Sequence, residues 1–321
     1  MPYKFFLLLI LLSSCSAPDR MEIVFGGDVM LDRGIRARIN TRGLEYLTED
    51  ISEVFDQADY TVVNLECPVT DQHTPLTKEY VFRAEPEWLS DLRDAGITHC
   101  IMANNHSYDH GREALVMTAE NLNTADLVPV GYGLSQKKAC EPVLLQKGDI
   151  EVAIFASVTL GLEAWMYLED SPGMCQATIS DLSKNIREYK KQFPQRLVVV
   201  TLHWGAEYHQ TPTSIQREDA KKLIHAGTDA IIGHHPHVIQ SFEYIEGKPV
   251  FYSIGNLIFD NPNPKTHEGI LVKLTFEKDN QEVQVIPYKA DNSKPVLMDE
   301  DEREEWFKRS VSMQGTNYNG L

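Results

Sequence analysis

Five short apolar runs, each ending in a side chain that can hold a metal ion or carry a proton, set the narrowest limits on what this chain can become. They span Glu22 to Asp28, Tyr60 to Glu66, His99 to His106, Leu197 to His203 and Ala230 to His237. Runs of this length and β-branched content, bounded by Gly or Asn, predict strands buried on both faces, and helix-like segments separate them. The ligand-bearing residues then gather along one edge of a sheet. In open α/β sheets that edge, outside the carboxyl ends of the strands, is where sites are built.

Helical spacing of apolar positions predicts helices over 86–95, 111–123, 180–193 and 214–226, the second capped by Asp109. Residues 139–145 and 151–156 predict a strand pair around a Lys147-Gly148-Asp149 turn. Beyond the histidine cluster the pattern changes. The runs 250–254, 269–276 and 283–287 predict strands joined by short polar turns such as Lys278-Asp279-Asn280, hence antiparallel pairing. The reading is therefore α/β units finished by a mostly antiparallel sheet, with no internal repeat and no linker to a second independent domain. The acidic stretch 299–305 is expected to solvate a terminal helix.

The net charge of −17 excludes a nucleic-acid partner that relies on phosphate neutralisation. At the amino terminus, Lys4 precedes the apolar run Phe5 to Leu12, too brief to span a bilayer, and then Leu12-Ser13-Ser14-Cys15. This pattern resembles a bacterial lipobox; an ordinary secretory signal with an incidental cysteine is the competing reading. The expected organisation is a signal peptide over 1–14, a lipidated tether over 15–21 beginning at Cys15, one α/β domain over 22–290 that carries the ligand-bearing runs, and an acidic extension over 291–321. The chain is expected to be exported and lipid-anchored to a bacterial membrane. Of the other cysteines, Cys67, Cys100, Cys140 and Cys175, none forms a C-x-x-C pair, which excludes a zinc knuckle. They are expected to be thiols, with three disulfide connectivities formally open.

Asp28 and Glu66 supply carboxylate oxygens, Asn105 an amide oxygen, and His203, His235 and His237 imidazole nitrogens, a mixture suited to zinc, manganese or iron. Such a set serves one or two divalent ions that clamp an oxyanion and activate water. His235-Pro236-His237 is its most specific element, because residues two apart on a strand-end loop reach adjacent metal positions. His234 reads as structural. His106 follows Asn105 as a proton carrier, and Asp109 can orient it.

These residues lie in the stretches Gly27-Asp28-Val29-Met30-Leu31, Asn64-Leu65-Glu66, Asn104-Asn105-His106 with Asp109-His110-Gly111, His203-Trp204-Gly205 with Glu207-Tyr208, Gly233 to His237, and Tyr252 to Asn256. In order and spacing the set resembles the capsule-synthesis CapA family, which shares its fold with calcineurin-like metallophosphoesterases. The resemblance implies a four-layered α/β/β/α sandwich of the metallo-dependent phosphatase type, and a role in making, releasing or anchoring poly-γ-glutamate or a similar extracellular polyanion. It also implies membrane-bound capsule-synthesis proteins as partners. Carried over by motif, Asp28 and His237 hold one metal, Asn105, His203 and His235 the second, Glu66 stands where a carboxylate bridges, and His106 donates a proton. Two departures stand out: phosphoesterases place a His where this chain has Met30, and Glu66 replaces a shorter Asp.

An acidic chain that handles a polyanion needs local positive charge. Arg33 and Arg83 are the cations best placed in sequence, since guanidinium matches carboxylate or phosphate bidentately. Tyr208 and Trp204 are candidates for lining the pocket or for packing beneath it, and Asn256 for bracing the site without ligating. Two functions follow: a metal-dependent hydrolase of amide or phosphoester bonds, or a capsule-assembly subunit that keeps the site as a binding pocket.

Overall fold

Alternation along the strands explains the layers. In strand Arg20–Val29, Met21, Ile23 and Phe25 join one apolar cluster and Val24 joins another; in strand Leu197–His203, Val199 joins the first cluster and Val198 and Val200 a third. Side chains on a strand point to opposite faces in turn, so each of these strands is covered on both sides. The structure is a computed structural model describing residues 20–162, 166–278 and 280–314. The expected signal segment and Cys15 lie outside the described residues, as does Asp279 of the expected turn.

Two sheets stack face to face over the shared cluster. The first has the order Lys294–Leu297, Asn280–Asp291, Glu268–Glu277, Arg20–Val29, Tyr60–Leu65, His99–Ile101, Val128–Val130, with Asn256–Ile258 pairing in parallel to the end of Arg20–Val29. The four strands from Arg20–Val29 to Val128–Val130 run parallel, and the three on the other side are antiparallel, as predicted for 269–276 and 283–287, whereas the predicted strand 250–254 appears as Lys248–Phe251 in the other sheet, parallel to Ala230–His234. The second sheet has the order Phe242–Ile245, Lys248–Phe251, Ala230–His234, Leu197–His203, Ile150–Val158, Val143–Lys147, parallel at its centre and antiparallel at both edges. Helices Arg33–Arg42, Trp88–Asp94 and Gly111–Thr124 cover the outer face of the first sheet through Ile35, Ile39, Leu89, Leu92, Leu115 and Leu122. Helices Ile179–Gln192 and Ser214–Ala226 cover the second through Leu182, Ile186, Ala220 and Leu223. The architecture is the four-layered α/β/β/α sandwich.

Helix Ser214–Ala226 starts where predicted, at a reciprocal capping box between Thr213 and Gln216, and stops at left-handed Gly227. Three expectations are corrected. Asp109 does not cap Gly111–Thr124; the capping position is His110, without a side-chain bond, because the Asp109 carboxylate is engaged elsewhere. Residues 136–139 form a short helix capped by Ser135, so the strand begins only at Val143. Cys140 and Cys175 form a disulfide, while Cys67 and Cys100 are buried thiols. The two bridged residues are 35 apart in sequence, a closure no local pattern reveals.

The sheet continues past residue 290 through Lys294–Leu297, and the terminal helix Glu300–Gln314 buries Trp306 in the inter-sheet cluster. Among the described residues no helix is long and apolar enough to cross a membrane.

Candidate metal centre

Every predicted ligand sits at the carboxyl edge of a parallel strand or on the loop just beyond. Asp28 lies at the end of Arg20–Val29, where the pairing register with Tyr60–Leu65 shifts between Gly26 and Asp28, a bulge that re-aims the carboxylate. Gly27 is required there, since a β-carbon would meet the Gly255 carbonyl oxygen at 2.0 Å. Glu66 follows Tyr60–Leu65, Asn105 follows His99–Ile101, and His203 closes Leu197–His203. His235 and His237 follow Ala230–His234 in the left-handed region, at φ 97° and 57°. For residues bearing a β-carbon that conformation costs about 1–3 kcal/mol each and persists only where the surroundings enforce it. Asp28 helps to do so, accepting from the His235 backbone N–H at 3.4 Å, and the Pro236 carbonyl accepts from Tyr208 N–H at 2.9 Å.

The structure brings six predicted donors together. Ligand atoms of Glu66, His235 and His237, and of Asp28, Glu66 and His203, form two groups, each with its members within 4.8 Å of one another. Glu66 belongs to both: its Oε1 lies 3.8 Å from His203 Nε2 and 3.7 Å from His237 Nε2. His203 Nε2 is also 2.8 Å from Asn105 Oδ1. His237 Nδ1 lies 2.8 Å from Asn256 Oδ1 and 3.2 Å from Asp28 Oδ2, so its other nitrogen faces Glu66. Asn256 is therefore the expected brace, a carbonyl that fixes tautomer and ring orientation. His234 does not join the groups; its Nε2 is 3.3 Å from the Gly26 carbonyl oxygen.

The electrostatics call for a cation. Asp28 and Glu66 are fully buried, and among the described residues neither is paired with a Lys or Arg. Burial, and then the neighbouring Asp28 charge, push the Glu66 carboxyl well above its ordinary range. Burial would raise Asp28 too, but the hydrogen bond and charge of His237 outweigh it and hold it low. Burial opposes the His237 imidazolium, yet Glu66 and Asp28 draw its proton on, up to about 9. His235 is pushed down to about 3 by burial and by His237, and His203 well below the imidazole range by burial and the surrounding histidines. Glu66 Oε1 and His235 Nδ1 are buried with no hydrogen-bond partner. Oxygen and nitrogen donors left bare beside one another in a water-poor pocket fit a divalent metal ion, whose binding displaces such protons.

His106 stands at the border of this group, and its Nδ1 is 2.8 Å from Asp109 Oδ2. Burial lowers its pKa despite that carboxylate, so the neutral ring donates Nδ1–H and leaves Nε2 bare. The other predicted residues separate. Tyr208, 38 % exposed, lies with its ring 6.4 Å from His237 and accepts from Asn261 Nδ2 through its hydroxyl. The Arg33 guanidinium lies over the rings of Phe82 and Phe259, which pack against His106 and His237, and pairs with Asp260 at 2.6 Å. Arg83 is not brought to the site: its guanidinium holds Glu85 and the Thr70 carbonyl oxygen. Trp204 packs against Tyr252 and donates to its carbonyl oxygen, beneath the loop. Met30 is fully buried, and its sulfur accepts from the Asp32 N–H at 3.1 Å.

Sequence reasoning missed Asn64 and Asn104. The Asn64 amide nitrogen reaches Asp28 Oδ1 at 2.8 Å, Glu66 Oε2 at 3.3 Å and His203 Nδ1 at 3.4 Å, while its oxygen accepts from Asn104 Nδ2 at 3.2 Å. The available signal was an amide inside a doubly buried apolar strand, which must be satisfied by other polar groups.

Residues 22–261 match the model of the family described as bacterial capsule synthesis protein PGA_cap. The chain is 29 % identical over 284 residues to the capsule biosynthesis protein CapA of Bacillus anthracis, covering 86 % of this chain and 69 % of that protein. It is 30 % identical over 263 residues to the PGA biosynthesis protein CapA of Bacillus subtilis, covering 81 % and 69 %. In fold it is similar to the crystal structure of the calcineurin-like phosphoesterase YfkN from Bacillus subtilis, with a TM-score of 0.56, 14 % identity, and coverage of 92 % of this chain and 99 % of that one. On the extent of these matches and the sandwich they share, the chain belongs to the CapA-type PGA_cap family of capsule and poly-γ-glutamate biosynthesis, built on the metallophosphoesterase fold.

Proposed function

We propose that this protein is a metal-dependent hydrolase that cleaves amide or phosphoester bonds in an extracellular anionic polymer such as poly-γ-glutamate. The observation that carries the reading is Glu66 Oε1, buried without a partner and set between the Nε2 atoms of His203 and His237. One or two divalent ions (manganese, zinc or iron) would be held, by Glu66, His235 and His237 and by Asp28, Glu66 and His203 with Asn105 beside it, a grouping that crosses the partition the motifs imply. Such an ion supplies Lewis acidity toward a carbonyl or phosphoryl oxygen and makes water nucleophilic near neutral pH. His106 Nε2, bare in the neutral ring, would take the proton that the attacking water gives up and pass it to the leaving group, while Asp109 holds the ring through Nδ1. Arg33 and Tyr208 at the rim receive the polymer's charge and chain.

Cys15 supplies the lipid anchor in this reading. The Cys140–Cys175 disulfide supports an oxidising compartment outside the cytoplasm. Strand Arg20–Val29 starts at the edge opposite Asp28, so an anchored chain presents its site about 26 Å from the edge where the tether joins.

The test is turnover of γ-glutamyl and phosphoester substrates by purified protein loaded with manganese, zinc or iron, with His235→Ala as control. Turnover by the native protein alone supports hydrolysis; none with any divalent metal removes it. A second reading, a polymer-binding assembly subunit, is favoured by the Met30 sulfur, which is turned to the Asp32 amide and leaves the Asp28 side one ligand poorer. Near-zero bound metal together with normal capsule function in the His235→Ala strain would select that reading.

A further inference from the structure

Resting on the hydrolase reading, we propose that Lys78 is a positioning residue that clamps the proton-donating His106 from outside the metal centre. Its ammonium donates to Asp109 Oδ1 at 2.7 Å and to the Asn105 carbonyl oxygen at 3.0 Å, the residues on either side of His106 in the same turn. Asp109 is wholly buried and has no exposed oxygen to spare: Oδ2 takes the Phe82 N–H at 2.7 Å and the His106 ring. Removing the ammonium would leave Oδ1 a buried carboxylate oxygen without a partner, so the group would turn to recover one and release the imidazole.

Lys78 arrives on a strap, residues 70–84, that is fastened along the same turn. Leu76 N–H donates to the Asp109 carbonyl oxygen at 2.9 Å, Thr74 N–H to His110 Nδ1 at 3.0 Å, and the Thr74 hydroxyl to the His110 carbonyl oxygen at 2.7 Å. The strap also lays Phe82 against the His106 ring, with centroids 4.3 Å apart. One cation thereby fixes both the proton carrier and the backbone of Asn105, whose side chain faces His203.

The experiment compares Lys78→Met and Lys78→Arg with the native protein, using Lys78→Gln in place of the Met variant if that one fails to fold. The first readout needs no turnover. The Nδ1–H held by Asp109 is expected as a downfield proton resonance in the native protein and in Lys78→Arg, assigned by its absence in His106→Gln, and lost in Lys78→Met at unchanged metal content. The second is kinetic: kcat falls at least tenfold in Lys78→Met with KM unchanged, more for poor leaving groups than for activated ones, and Lys78→Arg recovers it. A resonance that persists in Lys78→Met, or in Lys78→Gln where that variant replaces it, or that is absent from the native protein, overturns the clamp. A native protein with the resonance and no turnover overturns the hydrolase reading while the first readout still decides the clamp.

Discussion

The two halves of the candidate metal centre are built by different means. The oxygen half, Asp28, Glu66 and Asn105 from the first sheet, is set in a side-chain lattice in which the Asn64 amide touches two carboxylates and an imidazole, and Asn104 holds Asn64 in turn. The nitrogen half, His203, His235 and His237 from the second sheet, is placed by a strand end and a left-handed turn, with one imidazole nitrogen wholly unpartnered. The first half is tied mainly by amide hydrogen bonds to its carboxylates, the second mainly by backbone geometry, and each keeps one bare donor atom, Glu66 Oε1 and His235 Nδ1. Because Glu66 stands in both ligand groups, neither sheet supplies a complete set alone. The centre therefore exists only while the inter-sheet core holds the two edges in register.

The largest effect should come from breaking that register. Phe25 is fully buried between the sheets in the same strand that carries Asp28. Phe25→Ala is expected to destabilise the fold by about 3–5 kcal/mol, and metal affinity should fall with it although no ligand is touched. Denaturant unfolding and metal titration measure the two; a destabilised variant with native affinity would show that the halves do not depend on the core.

A second contrast sharpens the first, because a buried histidine far from the carboxylates behaves unlike His237. His99, at the amino end of the strand leading to Asn105, is pushed down to about 4 by burial alone. A folded-state pKa below the unfolded value means that the unfolded chain binds the extra proton, so stability is lost as pH falls through the interval from 6.5 to about 4. The loss amounts to about 3 kcal/mol at the acid end, and His99→Gln should flatten that part of the stability profile. A variant with the native acid slope would refute this assignment.

Much of this was legible because strand periodicity and strand-end chemistry are local. Asp28, Glu66, Asn105, His203, His235 and His237 each end an apolar run, and parallel topology brings them to the carboxyl edges of two sheets, not the single sheet expected, which the stacking of the sheets sets side by side. What escaped depends on partners distant in sequence. Asp109 has the residue type and position of a helix cap, yet Lys78 and Phe82, about thirty residues earlier, engage its carboxylate. Arg83 has the residue type and position of a polyanion-binding cation, yet Glu85 and the Thr70 carbonyl oxygen hold its guanidinium, and spacing does not match Cys140 to Cys175. Lys78 carried no signal, being one lysine in a polar loop.

Glu66→Gln separates function from stability within the oxygen half. Gln mimics the protonated carboxyl that burial and Asp28 already favour, so metal-free protein at pH 8 should be as stable as native or more so. Metal affinity should fall about a hundredfold, roughly 2.7 kcal/mol. Equilibrium dialysis gives the affinity and thermal unfolding the stability. Loss of stability without loss of affinity would remove Glu66 from the centre.

The smallest effect is expected on the nitrogen half, at Asn256, and its size follows from redundancy. The Asn256 carbonyl fixes His237 through Nδ1 at 2.8 Å, but Asp28 Oδ2 lies 3.2 Å from the same nitrogen, so one acceptor remains when the other is removed. Asn256→Ala should weaken metal binding about tenfold, the lower end for losing an orienting partner of a ligating histidine. Asn256→Asp restores the acceptor and should recover affinity, although it places a third carboxylate near Asp28 and Glu66 and lowers the stability of the metal-free protein. If Ala and Asp weaken binding equally, the hydrogen bond to His237 is not what Asn256 contributes, and the nitrogen half is held by its strained turn alone.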